Sequence, residues 1–305
     1  MVDTEPLVVT GMSWSDGSPR LRVRQPPRGE SALVPVSGFA LNYHLDDHAE
    51  RACVGHRPFR DSTGEWFDCD NPPLHDGRKC DRCAAVDATF ASQLHHAHNK
   101  ARGELEGAVL RHLEQPNSLY LACFRDGSIK VGTSSAPRLK VRLAEQGAWL
   151  ARVVANTTDG FAVRSLEDRI TIEMGLPQSV SIRRKLDGLT QPKPDAALAA
   201  ELDRWSAAVH QLMEDTSDRR VTAASEDWRF EMSDNPLWES LHPYPLKLSS
   251  GSHDIEMVSA SGRAVVIRRP GSDDHFVADA QHLFGIAITP GDHVPDELAV
   301  QDSLF

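Results

Sequence analysis

The stretch that decides the fold reads SLYLACFRDGSIKVGTSSAPRLKVRLAEQGAWLARVVA, from Ser118 to Ala155. Residues typical of strands alternate on either side of Asp126-Gly127, which predicts an antiparallel β-hairpin. Hydroxyl residues and a proline then lead into a helix from about Pro137 to Gln146. A third strand at 149–155 and a second helix at 161–174 complete the predicted fold, an α+β module with a small antiparallel sheet flanked by helices.

Glu167 stands out in the predicted second helix because it lies on or beside the apolar stripe formed by Val163, Leu166 and Ile170. Desolvating a carboxylate is costly unless a metal ion, an arginine or a proton compensates its charge. On spacing alone, a salt bridge to a neighbouring arginine, Arg164 or Arg169, is the alternative to a metal ion.

The order of a hairpin, a helix with arginines, a third strand and a helix with a glutamate resembles the GIY-YIG nuclease superfamily. The two tripeptides that name the superfamily are partly present, as Leu119-Tyr120 and as Lys130-Val131-Gly132. The phrase RLAEQGA, from Arg142 to Ala148, is similar to an uncharacterised bacterial branch of unknown function that has an upstream four-cysteine zinc-binding region. Within it, Gln146 stands where many of these nucleases have a histidine or tyrosine.

This resemblance implies a hydrolase, a metal-dependent phosphodiesterase acting on DNA or RNA. Tyr120 would position or activate water, and Lys130 stands where a tyrosine is usual. Arg142 would clamp the scissile phosphate, with Arg138 as second choice, and Glu167 would hold Mg²⁺ or Mn²⁺. Lys130 can act as a base only if burial or the nearby Arg142 lowers its pKa.

Two other functions remain open on the sequence. The module can instead be a non-catalytic site that binds nucleic acid or another ligand, or a small-molecule enzyme built on the same scaffold. The partial motif and the acidic chain favour binding, whereas the family order of tyrosine, lysine, arginine and glutamate favours catalysis.

Four of the five cysteines cluster upstream in a loop-rich stretch, at Cys53, Cys69, Cys80 and Cys83. The C-x-x-C pair formed by Cys80 and Cys83 can reach one tetrahedral metal ion, and the other two thiolates would complete a closed structural zinc site. A disulfide, which needs an oxidising compartment, and a thioredoxin-type redox pair are the alternatives. Zinc is favoured because the stretch has few apolar residues that could order it otherwise.

Nearby histidines are possible substitute ligands for the metal ion. They are His56, His75, His95, His96 and His98. The run from His95 to His98 can equally be a solvated helix face.

The chain has a formal net charge of -11, which argues against a protein that coats nucleic acid over its whole surface. Residues 119–191 contain 11 basic and 7 acidic residues, so this segment carries 11 − 7 = +4 and the remainder −11 − 4 = −15. Such a basic module fits a confined anionic partner such as nucleic acid, although charge also fluctuates along any sequence.

The chain shows no leader and no run of about 18 apolar residues, so we expect a cytoplasmic protein without membrane contact. Its oligomeric state is not predicted.

The remaining pattern predicts five regions. They are an N-terminal β region (1–50), a zinc-binding loop region with a long helix over 84–112 (51–117), the GIY-YIG-like domain (118–190), a helical segment (195–240) and a C-terminal β unit (241–305). The long helix rests on apolar residues that recur every three or four positions.

Overall fold

A computed structural model describes residues 5–14, 17–26, 29–46, 49–57, 66–74, 77–95, 97–100, 102–105, 107–214 and 218–298. Over these ranges the chain is α+β, which confirms the predicted class. The strands are β1 (Leu7–Ser13), β2 (Arg20–Arg24), β3 (Ala32–Pro35), β4 (Phe39–Leu45), β5 (Asn117–Cys123), β6 (Ile129–Ser135), β7 (Leu150–Thr157), β8 (Val221–Arg229), β9 (His242–Pro243), β10 (Gly251–Ser261), β11 (Ala264–Arg268), β12 (His275–Asp279) and β13 (Ala287–Ile288). The helices are α1 (Asp81–His95), α2 (Gly107–Leu113), α3 (Leu139–Gln146), α4 (Gly160–Met174), α5 (Ile182–Thr190) and α6 (Asp195–Glu214). Within the described ranges, no helix is both long enough and apolar enough to cross a lipid bilayer.

The chain divides into two compact units. The first comprises Met1–His56, Phe67–Ala84 and Pro236–Phe305, and the second comprises Arg57–Trp66 and Ala85–Asn235. In the first unit one sheet has the strand order β13-β1-β2-β3 and the other has the order β4-β10-β11-β12-β9. Strand β4 pairs with β10 along its whole length, so strands from the two ends of the chain share a sheet.

The second unit contains a four-stranded sheet with the order β6-β5-β7-β8. Strand β5 is central and every one of its residues is buried. In the antiparallel β5–β6 hairpin, Tyr120 pairs with Gly132 and Ala122 pairs with Lys130. Paired residues project to the same face of a sheet, and this face carries the candidate site.

The helices that carry candidate site residues have well-defined ends. Helix α3 follows a 3₁₀ turn at Ala136–Arg138 and ends at Gly147, which adopts a left-handed conformation with φ 70°. Helix α4 begins after Asp159, whose side chain accepts a hydrogen bond from the Ala162 amide at 2.8 Å. These caps agree with the helices predicted at 137–146 and 161–174.

The continuous helix predicted over 84–112 is wrong. The structure has α1, short 3₁₀ turns at Ala97–Asn99 and Arg102–Glu104, and then α2. Gly107 has φ 61°, a left-handed conformation that cannot lie inside a continuing right-handed helix. Strand β8 was not predicted, because its largely exposed run of Ser225, Glu226 and Asp227 lacks the residues typical of strands.

Candidate functional site

Four cysteine side chains meet in the first unit. The Sγ atoms of Cys53, Cys69, Cys80 and Cys83 all lie within 4.8 Å of one another, and all four residues are buried. Cys80 immediately precedes α1 and Cys83 lies in its first turn, so the C-x-x-C spacing presents both thiols at the start of one helix. Two separate loops supply the other two thiols.

The cluster fits a tetrahedral metal ion. Four thiolates at about 2.3 Å from zinc would lie about 3.8 Å apart, and the Sγ atoms of Cys69 and Cys80 are 3.7 Å apart. The thiols are free, so the disulfide alternative is not formed. The backbone amides of Cys80 and Gly55 donate to Cys53 Sγ at 3.2 and 3.4 Å, as suits a negatively charged sulfur. These four residues can hold a metal ion such as zinc.

The pKa values of two of the thiols, Cys80 and Cys83, are shifted in opposite directions. A hydrogen bond from the Cys83 backbone amide lowers the pKa of Cys80 to about 6. Burial raises the pKa of the Cys83 thiol, and neighbouring cysteines add to this effect. The hydrogen bond thus favours the thiolate form of Cys80, whereas binding of a metal ion must displace the Cys83 proton.

Arg24 supports the two loops that carry Cys53 and Cys69. Its Nη2 donates to the carbonyl oxygens of these two residues at 3.3 and 2.8 Å, and its Nη1 donates to Asp70 Oδ1 at 2.8 Å. The sequence alone does not mark this arginine, because the contact joins β2 to loops more than 25 residues away.

Of the predicted substitute ligands, His56 lies beside the cluster. Its Nδ1 is 3.2 Å from Cys83 Sγ, which makes it a hydrogen-bonding neighbour of one thiol. His98 instead pairs with Asp168 in the second unit, with its Nε2 2.9 Å from the carboxylate. The other predicted substitutes lie outside the described residues or have side chains outside them: His75, His96 and the side chain of His95.

In the second unit, Tyr120 lies at the centre of β5 and is fully buried. The Nε2 of Gln146 donates to the Tyr120 hydroxyl at 2.6 Å and to the Arg142 carbonyl at 3.0 Å. The second bond fixes the orientation of the amide, because a carbonyl can only accept. Burial raises the pKa of Tyr120, although the nearby Arg142 lowers it. Tyr120 is thus a neutral phenol whose own proton is available to another acceptor.

Lys130 lies on the same face of the hairpin as Tyr120, because it pairs with Ala122, two residues along β5. Its Nζ is 5.9 Å from the centroid of the Tyr120 ring and donates to the Gln178 carbonyl at 3.1 Å. Burial lowers the pKa of Lys130 to about 8, and the charges of Arg142 and Lys185 act in the same direction. The depressed pKa that a catalytic lysine requires is therefore present.

The two candidate arginines differ in their partners. Arg138 donates to both carboxylate oxygens of Glu145, at 3.0 and 3.1 Å. Arg142 is exposed and, among the described residues, makes no ion pair with a carboxylate. Arg142 hydrogen-bonds with the Tyr120 side chain, and of the two guanidinium groups it is the one that no described carboxylate holds, so it can bind an anion.

Glu167 is buried in α4, with 3% of its surface exposed. Arg164 Nη1 donates to Glu167 Oε2 at 2.7 Å, so one of the two predicted salt bridges is formed. Arg169 pairs with Glu173 instead. No described residue donates to Glu167 Oε1, which leaves that oxygen for a cation or a water molecule.

These side chains share one electrostatic environment. The charges of Glu167 and Arg142 both affect the pKa values of Tyr120 and Lys130. Lys185 of α5 joins them, because its Nζ donates to the Gln146 carbonyl at 2.8 Å. The sequence alone does not single out Lys185, because nothing local distinguishes it from the neighbouring Arg183 and Arg184. Together the groups offer a hydroxyl, an amine with a depressed pKa, a guanidinium and a carboxylate.

The profile of a protein family described as Protein of unknown function (DUF2797) matches residues 50–242, which include the cysteine cluster and the β5–α5 segment. Comparison with curated proteins and with solved structures gives no match.

Proposed function

This chain belongs to the DUF2797 family, and we propose that its second unit is a metal-dependent phosphodiesterase that acts on nucleic acid, like the GIY-YIG nucleases that it resembles. The observation that carries the proposal is the shared environment of Tyr120, Lys130, Arg142 and Glu167 on one side of the β5–β6 hairpin. Hydrolysis of a phosphodiester needs a base for water, a donor for the developing charge and a cation for the phosphate.

Tyr120 and Lys130 act on the attacking water in this proposal. The unprotonated Lys130 amine has a lone pair that can accept the proton of water while an N–H still donates to Gln178. The Tyr120 hydroxyl, held by Gln146, can orient the same water through its own proton. The pKa of about 8 makes a useful fraction of Lys130 unprotonated near neutral pH.

Arg142 and Glu167 act on the phosphate side. The exposed Arg142 guanidinium can donate two parallel hydrogen bonds to phosphate oxygens. Glu167 fits a divalent cation through Oε1, because Arg164 uses only Oε2. The chemistry that Mg²⁺ or Mn²⁺ supplies when bound is polarisation of a phosphoryl oxygen and a lowered pKa for bound water.

A second candidate function is binding of nucleic acid without cleavage. The 2.7 Å contact between Arg164 and Glu167 favours it, because an arginine already compensates the charge of this carboxylate. In that case Lys130, Arg142 and Lys185 hold a phosphate and Glu167 only supports the fold.

For the first unit we propose a structural zinc ion held by Cys53, Cys69, Cys80 and Cys83. Support comes from the short sulfur separations, the burial of all four cysteines and the number of protein ligands, since four leave no open coordination position. The role of the ion is to order loops that contain little regular structure.

The test is cleavage of labelled single- and double-stranded DNA and RNA with added Mg²⁺ or Mn²⁺, and with divalent metal omitted. Zinc content is measured in each sample, so that loss of the structural ion is not mistaken for loss of a catalytic one. Cleavage that depends on added metal supports the phosphodiesterase. Salt-sensitive binding without cleavage of any substrate would contradict it and support the binding module.

A further inference from the structure

A cavity of ≈ 500 Å³ lies in the second unit, beside the candidate active site. Its walls come from the start of β6, the loop between α4 and α5, the first turn of α5 and one residue of α6. This volume falls in the range of small-molecule pockets. None of the residues assigned to water or phosphate above lines it.

One loop separates the cavity from Lys130. Pro177 and Ser179 line the cavity, while the carbonyl of Gln178 between them accepts the hydrogen bond from Lys130 Nζ at 3.1 Å. The Val131 amide donates to the Pro177 carbonyl at 3.0 Å, which fixes the same loop along the edge of β6. The loop at 177–179 therefore stands between the cavity and the Lys130 amine.

The walls suit a flat, largely apolar ligand with polar edges. Ile129, Leu176 and Val180 supply apolar surface, and the indole of Trp205 stands among them. Trp205 is held in place, since its Nε1 donates to Glu201 Oε1 at 3.1 Å and the Arg204 guanidinium lies 4.5 Å over its ring. An indole that is already ordered can stack on an aromatic ligand at little entropic cost.

Polar groups complete the lining. The exposed Ser179 hydroxyl can donate to or accept from ring nitrogens and exocyclic groups. Arg184 lies at the wall with most of its side chain exposed, paired with Asp126 at 2.9 Å. Because Asp126 already compensates this guanidinium, the cations that favour a ligand joined to phosphate are Lys130 and Arg142.

We propose that this cavity receives a nucleobase of the strand whose phosphate lies at Lys130 and Arg142. The inference rests on the proposed function for the phosphate site and adds the class of recognition, in which one base leaves its stack and lies against Trp205. An apolar pocket beside a group of cations matches a nucleotide, whose base is flat and whose backbone is anionic.

The test compares a short thymidine oligonucleotide with a fully abasic phosphodiester of the same length, by fluorescence anisotropy without divalent metal. The key variant is Ser179→Phe, which fills the cavity from an exposed position, and Ser225→Phe on the exposed face of β8 is the matched control. Wild type and the control should bind the base-bearing strand about 5- to 150-fold more tightly than the abasic one, as expected for one stacked base. Ser179→Phe should lose this preference and keep its affinity for the abasic strand.

In a separate arm, Trp205→Leu should also lose the preference for the base-bearing strand. Thermal unfolding of this variant is measured to show that it folds. Equal binding of both strands by wild type, or an unchanged preference in Ser179→Phe, would overturn the base site even if cleavage is observed. A lost preference in Ser179→Phe without any metal-dependent cleavage would uphold the base site while the phosphodiesterase fails. If free thymidine monophosphate competes as strongly as the oligonucleotide, the cavity binds a free nucleotide and the assignment to a strand is overturned.

Discussion

The ring of Tyr120 packs directly against the backbone of Gly132 on the neighbouring strand. A Cβ atom placed on Gly132 would lie 2.6 Å from the Tyr120 hydroxyl oxygen and 2.7 Å from Cζ. Gly132, the glycine of the partial tripeptide, is thus required because a side chain would not fit beside the Tyr120 ring. Its backbone conformation does not require glycine, since its φ is not in the left-handed region. The contact also sets where the hydroxyl meets Gln146.

Replacing Gly132 by alanine should therefore destabilise the second unit. The Tyr120 ring is fully buried and cannot swing into solvent, so we expect a loss of about 1–3 kcal/mol in the free energy of unfolding. Urea unfolding measures it. Gly103→Ala is the control, because nothing lies within 4 Å of its added Cβ, and it should change stability by about 1 kcal/mol or less. Equal effects of the two changes would refute the packing argument.

The purified protein should contain about one zinc ion per chain. Cys80→Ser and Cys83→Ser should each lower the zinc content strongly and destabilise the first unit, because the loops around the cluster have little else to order them. Elemental analysis and thermal unfolding give the two readouts.

Cys123→Ala supplies the control for these thiol changes. Cys123 is also buried, but it lies in β5 of the second unit and outside the cluster. Its replacement should leave the zinc content unchanged. Full zinc occupancy in Cys83→Ser, or a metal-free wild type that unfolds at the same temperature as the loaded protein, would rule out a structural ion.

Lys130 should make the free energy of unfolding depend on pH in the alkaline range. Its folded pKa of about 8 lies below the ordinary value of 10.5, so the unfolded chain binds more protons between these values and stability rises with pH there. The cost of the buried charge is fully present below about pH 8 and disappears toward pH 10.5.

Lys130→Met isolates this effect, because methionine fills similar space without a charge. The stability of the variant minus that of wild type should be greatest at pH 7 and fall steadily between pH 8 and 10.5. Urea unfolding of both proteins across this range measures the difference. A difference that stays constant with pH would mean that Lys130 keeps an ordinary pKa.

Local patterns predicted the module around the hairpin because the interactions that define it are local. Strands β5 and β6 alternate around a turn at Gly127, which has φ 83°, and α4 has its own cap and left-handed end. The C-x-x-C pair likewise presents both thiols from one helix start. Features that depend on residues close together in the sequence could thus be predicted from the sequence alone.

Distant contacts could not be predicted in this way. Strand β4 pairs with β10, which lies about two hundred residues later in the sequence. Arg24 donates hydrogen bonds to the carbonyl oxygens of Cys53 and Cys69, which lie more than 25 residues away in the sequence. The depressed pKa of Lys130 arises from burial and from charges on other elements, which one sequence does not place. The stripe position of Glu167 did predict a compensated carboxylate, but not whether Arg164 or a metal ion compensates it.

The two arginines of the α3 region should differ in their effect on cleavage. Arg142→Ala should reduce kcat/KM about 100-fold or more, as expected when one donor to the transition state is removed. Arg138→Ala should retain most activity, because the Arg138 guanidinium is held by both oxygens of Glu145. Steady-state cleavage of one oligonucleotide compares them. A greater loss in Arg138→Ala would exchange their proposed roles.

The role of Glu167 can be separated from its salt bridge by two matched changes. Glu167→Gln keeps the side-chain volume but removes the charge offered to a divalent ion, whereas Arg164→Met removes the other half of the same 2.7 Å ion pair. If Glu167 binds the catalytic ion, Glu167→Gln should abolish cleavage, and Arg164→Met should retain measurable activity at raised Mg²⁺ or Mn²⁺ because both carboxylate oxygens remain charged.

If the pair only supports the fold, both changes should lower the free energy of unfolding and have similar effects on nucleic-acid binding. Stability is therefore measured beside cleavage, so that a poorly folded variant is recognised. Breaking a buried pair by removing one partner leaves the other charge uncompensated, so Arg164→Met should destabilise at least as much as Glu167→Gln. Undiminished cleavage by a folded Glu167→Gln would refute the metal-binding role, because Glu167 is the carboxylate proposed to hold the ion beside Tyr120 and Lys130.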